Sequence, residues 1–223
     1  MPMLDRDVEV FVLNIGDTEN RFGPEWLAEV QVHLDTVASG DGPRALVTTA
    51  TGKFFSNGLD LEWLAQHSDQ FLGYVIDVHH LFERVLALPV PTVAAVQGHA
   101  FAGGGMLALA HDFRVMRADR GFFCLPEVDI NIPFSRGMSA LIQGRLSKKT
   151  AHEAMTTGRR YGGSDAHAAG IVDGVAHQDD VLTAAIEIAR PLAGKAGPTL
   201  GTIKARMYAE ALEVLREKDA PLE

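Results

Sequence analysis

Pro91-Thr92-Val93-Ala94-Ala95-Val96-Gln97-Gly98-His99-Ala100-Phe101-Ala102-Gly103-Gly104-Gly105, running into Met106-Leu107-Ala108-Leu109-Ala110, decides how this chain folds. Thr92 to Val96 is a short apolar run of the kind that forms a buried strand. Met106 to Ala110 is apolar all round, which reads as a buried helix. A helix that opens at the glycine triplet leaves backbone N–H groups unpaired, with the positive end of its dipole behind them. The missing Cβ at Gly104 would let a carbonyl oxygen approach its N–H, a geometry suited to a developing oxyanion. An equally open reading is structural, because glycines also occur wherever two backbones cross closely.

A second segment upstream repeats this logic. Arg44 to Thr49 is a short apolar strand ending at Ala50-Thr51-Gly52. Phe54-Phe55-Ser56-Asn57-Gly58-Leu59-Asp60-Leu61 then leads into a helix running to about His67. Asn57-Gly58-Leu59-Asp60 can place the Leu59 N–H outward, while Asp60 reads equally well as a helix N-terminal carboxylate. Farther out, Val8 to Ile15 alternates as a strand and Pro24 to Val37 has helical spacing. A helix over Phe71 to Ala87 is stopped by Leu88-Pro89-Val90-Pro91. Phe113 to Ala118 and Phe122 to Leu125 read as strands, and Met138 to Ile142 and Lys149 to Thr156 as helices. Val181 to Ala193 and Thr199 to Glu217 read as two longer helices separated by Gly194 to Pro198. The expectation is an α/β core over residues 1–175 and a helical region over 176–223, with no repeat sharp enough to read from the sequence.

The third chemical feature is Glu127 in Leu125-Pro126-Glu127-Val128-Asp129-Ile130. Apolar neighbours would raise its pKa and fit it to act as base and then acid. Two oxyanion donors and a base are the equipment of enolate chemistry; without the glycine segments, Glu127 would read as a surface carboxylate. Asp129 is a rival, since a continuing strand would put it on the same face. His79, His80, His99 and His111 show no metal spacing and read as structural, and Ser56 is not in a nucleophile elbow. Trp63, Phe71 and Phe134 read as core or as the wall of an apolar pocket.

Composition sets outer limits. With 223 residues, 47% of them hydrophobic, the chain can bury a large core. Its one cysteine, Cys124, forms no internal disulfide and no zinc spacing appears, so a metal-free fold in a reducing, cytoplasmic setting is expected. A net charge of −9 argues against nucleic acid as partner. No signal peptide, membrane span or peroxisomal ending at Ala220-Pro221-Leu222-Glu223 is read. Any polyanionic ligand would need a local basic contact, for which Lys53, Arg84, Lys195, Lys204 and Arg206 are scattered candidates.

These motifs, with His111-Asp112 and Gly170-Ile171-Val172-Asp173, resemble the crotonase family, the enoyl-CoA hydratase and isomerase superfamily, from about Val8 to the end. The resemblance implies a spiral of repeated β-β-α units with a C-terminal helical region that packs trimers, as a homotrimer or a dimer of trimers. It implies that the N–H groups of Leu59 and Gly104 polarise the carbonyl of a coenzyme A thioester. Lys53, Ser56, Asn57, Gly58 and Gly103 join them in binding it, with Lys53 near the phosphates and Lys204 and Arg206 as weaker contacts. Hydratases of the family carry a second glutamate two residues after the glycine triplet; here that residue is Leu107. Glu127 alone matches the single-glutamate Δ3,Δ2-enoyl-CoA isomerases, which act on unsaturated fatty acyl-CoA without metal or redox cofactor. The alternatives are a hydratase-like lyase, an acyl-CoA thioester hydrolase or a non-catalytic acyl-CoA-binding member.

Overall fold

The computed structural model describes residues 1–218, so Ala220-Pro221-Leu222-Glu223 lie outside the described residues. In chain order the strands are β1 (Met3–Asp7), β2 (Val10–Asn14), β3 (Ala45–Thr49), β4 (Phe54–Ser56), β5 (Thr92–Val96), β6 (His99–Phe101), β7 (Phe113–Arg117), β8 (Phe123–Cys124) and β9 (Gly174–Ala176). The helices are α1 (Pro24–Ser39), α2 (Leu61–Gln66), α3 (Phe71–Ala87), α4 (Gly103–Ala110), α5 (Arg136–Arg145), α6 (Lys148–Thr157), α7 (Gly163–Ala168), α8 (Val181–Ala189), α9 (Pro198–Met207) and α10 (Ala209–Leu215). The larger sheet has the order β1-β2-β3-β5-β7-β9 and is parallel except for β1 against β2; the smaller is parallel, β4-β6-β8.

Both faces of the larger sheet are covered, which is why its central strands read as continuous apolar runs. Val10, Ala45, Val47, Val93, Ala95 and Val115 share one face with Val181, Ala185 and Ala189 of α8. The alternate residues Phe11, Leu13, Leu46, Ala94 and Met116 enter the main core with Val30, Leu34, Phe82 and all of Met106 to Ala110. Burial of each such large side chain contributes roughly 1.5–3 kcal/mol. The register sets Val12 beside Val47 and Val47 beside Val93.

The chain coils as the resemblance implied. β3, β5 and β7 each enter the larger sheet, and the next strand, β4, β6 or β8, enters the smaller one before helices return the chain. The strands of the smaller sheet are two or three residues long; β8 falls within the strand expected over Phe122 to Leu125, whereas β4 and β6 are too short to carry a legible period. Three other expectations change. The strand expected over Val8 to Ile15 is present as β2 but starts at Val10, because exposed Val8, at φ 55°, turns the chain from β1, a strand the sequence reading did not mark. Thr199 to Glu217 divides at Tyr208, whose φ of −109° and ψ of 25° separate α9 from α10. The boundary expected after residue 175 falls inside β9, and α8 covers the sheet, so the C-terminal helices share the core of the preceding residues. Ala211, Leu212 and Leu215 of α10 join the same cluster as Met138 and Leu141 of α5. Among the described residues no helix is long and apolar enough to cross a membrane.

Candidate active site

The site forms where the β4–α2 connection crosses the start of α4. At the end of β6, Ala102 takes φ 49° and ψ −124°, a conformation rare for a residue with a Cβ, and turns the chain into α4. The turn is held by the Ala102 N–H, which donates to the Cys124 carbonyl at 3.0 Å. Gly58, at φ 79°, lies directly against it: a Cβ there would stand 2.5 Å from the Gly103 nitrogen. A Cβ on Gly104 would stand 2.2 Å from the Ser56 carbonyl oxygen. The two glycine segments therefore touch backbone to backbone, so the structural reading of these glycines holds as well.

Hydrogen bonding along the β4–α2 connection leaves one gap. The Asn57 N–H donates to the Glu19 carbonyl at 2.8 Å, the Gly58 N–H to Ser56 Oγ at 3.1 Å, and the Asp60 N–H to Tyr74 Oη at 2.8 Å. Between them the Leu59 N–H has no acceptor among the described residues, and neither does the Gly104 N–H at the second position of α4. Both belong to the unpaired donors that a helix start or turn leaves over. Asp60 caps α2 through the Trp63 N–H at 3.1 Å, so its reading as a helix N-terminal carboxylate holds.

Glu127 follows β8 on a turn, not on a continuing strand. Asp129 and Ile130 N–H groups both donate to the Pro126 carbonyl, and Ile132 N–H donates to that of Glu127. Glu127 is only 6% exposed, and its Oε2 is buried without a partner among the described residues. Removal from water disfavours the carboxylate and pushes its pKa up to about 7. The turn sends Asp129 outward to an exposed position beside Gly158, which separates it from Glu127. Val128 is likewise exposed, so the apolar wall consists of Leu125 behind and Ile130, Ile132, Pro133 and Met138 around the cavity.

A cavity of about 360 Å³ brings Glu127 together with Asn57 and Leu59. Ala102 lines it, with Gly103 and Gly104 buried behind. Ser56 is fully buried; its hydroxyl donates to the Asn20 carbonyl at 2.8 Å, so it ties the loop instead of facing the cavity. Lys53 is elsewhere. Its ammonium lies 5.0 Å from the centre of the Phe54 ring and borders a separate cleft with Arg117 and Arg120. Lys204 is buried in α9, where its ammonium donates to Asp112 at 2.6 Å and to the Val90 carbonyl at 2.8 Å, and it does not line this cavity. Trp63 stacks on His67 and Phe71 is exposed; neither lines the cavity.

The sequence reading missed Arg21, Phe101 and Ala102 as lining residues. Arg21 stands at the mouth, paired with Glu19 at 2.6 Å and Glu62 at 3.1 Å. Nothing local marks it, whereas Ala102, between an aromatic residue and three glycines, could have been read as part of the turn. His111 is satisfied at both ring nitrogens, by the Leu107 carbonyl and by Thr48 Oγ1, each at 2.8 Å. Among the described residues no three His, Cys, Asp or Glu side chains are grouped to hold a metal ion.

The family model described as enoyl-CoA hydratase/isomerase matches residues 6–220. Two Arabidopsis thaliana proteins are similar to the chain over nearly their whole lengths. Enoyl-CoA delta isomerase 2, peroxisomal, is 35% identical, with 96% of this chain and 95% of the relative covered. Enoyl-CoA delta isomerase 3 is 38% identical, with 94% and 93% covered. A crystal structure of a probable enoyl-CoA hydratase from Mycobacterium tuberculosis superimposes with a TM-score of 0.90 at 29% identity, covering 97% of this chain and 92% of that one.

Proposed function

Because this chain belongs to the enoyl-CoA hydratase/isomerase family, we propose that it is a Δ3,Δ2-enoyl-CoA isomerase of fatty acid metabolism. The observation that carries the proposal is Glu127, a buried carboxyl group whose Oε2 has no partner among the described residues, in a largely apolar cavity also lined by Leu59, whose N–H has no acceptor among the described residues. Glu62, at the mouth, is exposed and paired with Arg21, and the position where hydratases hold a second glutamate is the buried Leu107. Two names among the relatives, enoyl-CoA delta isomerase 2 and 3, support the same reading.

In the proposed reaction the 3-enoyl thioester enters with its carbonyl toward the N–H groups of Leu59 and Gly104. Glu127 takes a proton from C2, and the electron pair spreads through a dienolate whose negative charge rests on the thioester oxygen. The protonated Glu127 returns the proton to C4, leaving the double bond between C2 and C3. Protons and electrons balance without any added cofactor; coenzyme A is part of the substrate. Each oxyanion donor contributes on the order of 10²–10³-fold in rate and the base roughly 10²–10⁴-fold. A pKa of about 7 lets one carboxyl group both accept and return a proton near neutral pH. Exposed Ile203 and Met207 on α9 support burial of this helix against further copies of the chain, as a homotrimer or a dimer of trimers, which sedimentation would decide. The lone buried Cys124 supports a cytoplasmic setting; the names of two relatives supply the peroxisome as the alternative to test by imaging.

The test offers purified protein, and separately Glu127→Gln, a 3-enoyl-CoA and a 2-enoyl-CoA in water, following conjugated thioester absorbance and product mass. Conjugated product from the 3-enoyl substrate, lost in the variant and without hydration of the 2-enoyl one, is expected. Water addition to the 2-enoyl substrate, or hydrolysis of either thioester, would replace the isomerase with a lyase or a hydrolase.

A further inference from the structure

We propose that Asn20 and Tyr74, neither of which lines the cavity, are positioning residues that fix the Leu59 N–H for the substrate carbonyl; the inference rests on the isomerase reading. From Asn57 to Asp60 every N–H has an acceptor among the described residues except that of Leu59. That one gap is produced by braces on both sides of the loop, which come from parts of the chain far apart in sequence.

On the N-terminal side the brace is Asn20, 3% exposed and held at φ 49°, a left-handed conformation that asparagine tolerates better than most residues. Its side-chain Nδ2 donates to the carbonyls of Phe55 at 3.0 Å, Phe54 at 3.2 Å and Gly16 at 3.4 Å. Its own carbonyl accepts the Ser56 hydroxyl, the same oxygen to which the Gly58 N–H donates. Its neighbours complete the attachment: the Phe22 N–H donates to the Gly58 carbonyl and the Asn57 N–H to that of Glu19, each at 2.8 Å. On the other side stands Tyr74 of α3, 3% exposed, whose Oη accepts the Asp60 N–H at 2.8 Å. Its ring packs on Trp63 of α2 at 5.4 Å between centroids. The phenol occupies the N–H next to the one the reaction needs, so the Leu59–Asp60 peptides cannot rotate without breaking a partly buried hydrogen bond. A displacement of about 1 Å in such a donor can cost on the order of 10²-fold in rate.

Tyr74→Phe keeps the ring and removes only the acceptor; Asn20→Asp keeps the shape and the carbonyl-side acceptor but removes the donors to Phe54 and Phe55. Two readouts are taken: steady-state isomerisation of a 3-enoyl-CoA, and isotope-edited infrared spectra of a carbonyl-labelled 2-hexenoyl-CoA bound to each protein. In the unaltered protein the thioester carbonyl band moves to lower frequency on binding. In each variant that folds, the band returns part of the way toward its position in water, and kcat falls on the order of 10-fold while KM stays within about twofold. A purely structural role for these side chains would lower the melting temperature and leave the band and kcat unchanged, which overturns the proposal. Should the unaltered protein shift the band without isomerising the substrate, the isomerase reading fails alone. The infrared comparison of the variants then still decides the positioning role.

Discussion

Glu127 is where a single side chain links folding to chemistry. Its carboxyl has a pKa raised from the ordinary 4.5 to about 7 by burial, so the folded protein holds this proton more tightly than the unfolded chain does. The stabilising contribution is complete below about pH 4.5 and is lost as pH rises through about 7, amounting to about 3 kcal/mol at most. Wild-type stability relative to Glu127→Gln should therefore decline across that interval in denaturant titrations run at a series of pH values. Turnover should move in the opposite direction: the base is the ionised form, so kcat/KM climbs as pH passes about 7. Glu127→Gln should lose roughly 10²–10⁴-fold in kcat and keep its affinity for acyl-CoA. A variant that turned over normally would move the base to another residue.

Among the elements, α4 and the β4–α2 connection act as one unit because their backbones touch. Gly104→Ala would push a methyl to 2.2 Å from the Ser56 carbonyl and 2.8 Å from its side chain, both in buried backbone surroundings that cannot retreat. Activity should vanish and thermal denaturation should show a loss of several kcal/mol, in the range of other overpacked or strained core positions. The contrast is Gly73 of α3, exposed and with nothing among the described residues within 4 Å of an added Cβ. Gly73→Ala should stabilise the protein by about 0.5–1 kcal/mol through helix propensity and leave kcat unchanged. The same residue type thus has opposite consequences at two positions.

For the whole molecule the telling contact joins residue 204 to residues 90 and 112. Buried Lys204 fixes α9 to the entrance of β5 through Val90 and Asp112, while the Asp112 carboxylate also accepts the Thr92 N–H at 2.8 Å. Burial lowers the lysine pKa, and the paired Asp112 opposes that shift. Lys204→Met strands the carboxylate and should cost about 3–5 kcal/mol in chemical denaturation. Acyl-CoA affinity, measured by calorimetry, should not change, because the ammonium is absent from the cavity; a large loss of affinity would restore Lys204 as a ligand contact.

The sequence by itself determined the elements with strong local periods and the motifs whose chemistry is local. The strand before the glycine triplet, the wholly apolar α4, the Phe71–Ala87 helix, Glu127 between apolar neighbours and Leu107 in place of a second carboxylate were all legible. Each depends on a run of a few residues, which hydrophobic spacing, proline and glycine control directly. Tertiary structure alone decided β4 and β6 of the smaller sheet, the outward turn that parts Asp129 from Glu127, the burial of Lys204 and the placing of Lys53 in a different cleft. It also decided that Asn20 and Tyr74 meet at one loop. These outcomes depend on which separate segment satisfies a backbone N–H or covers a charge, and no local pattern encodes a partner 14, 35 or 114 residues away.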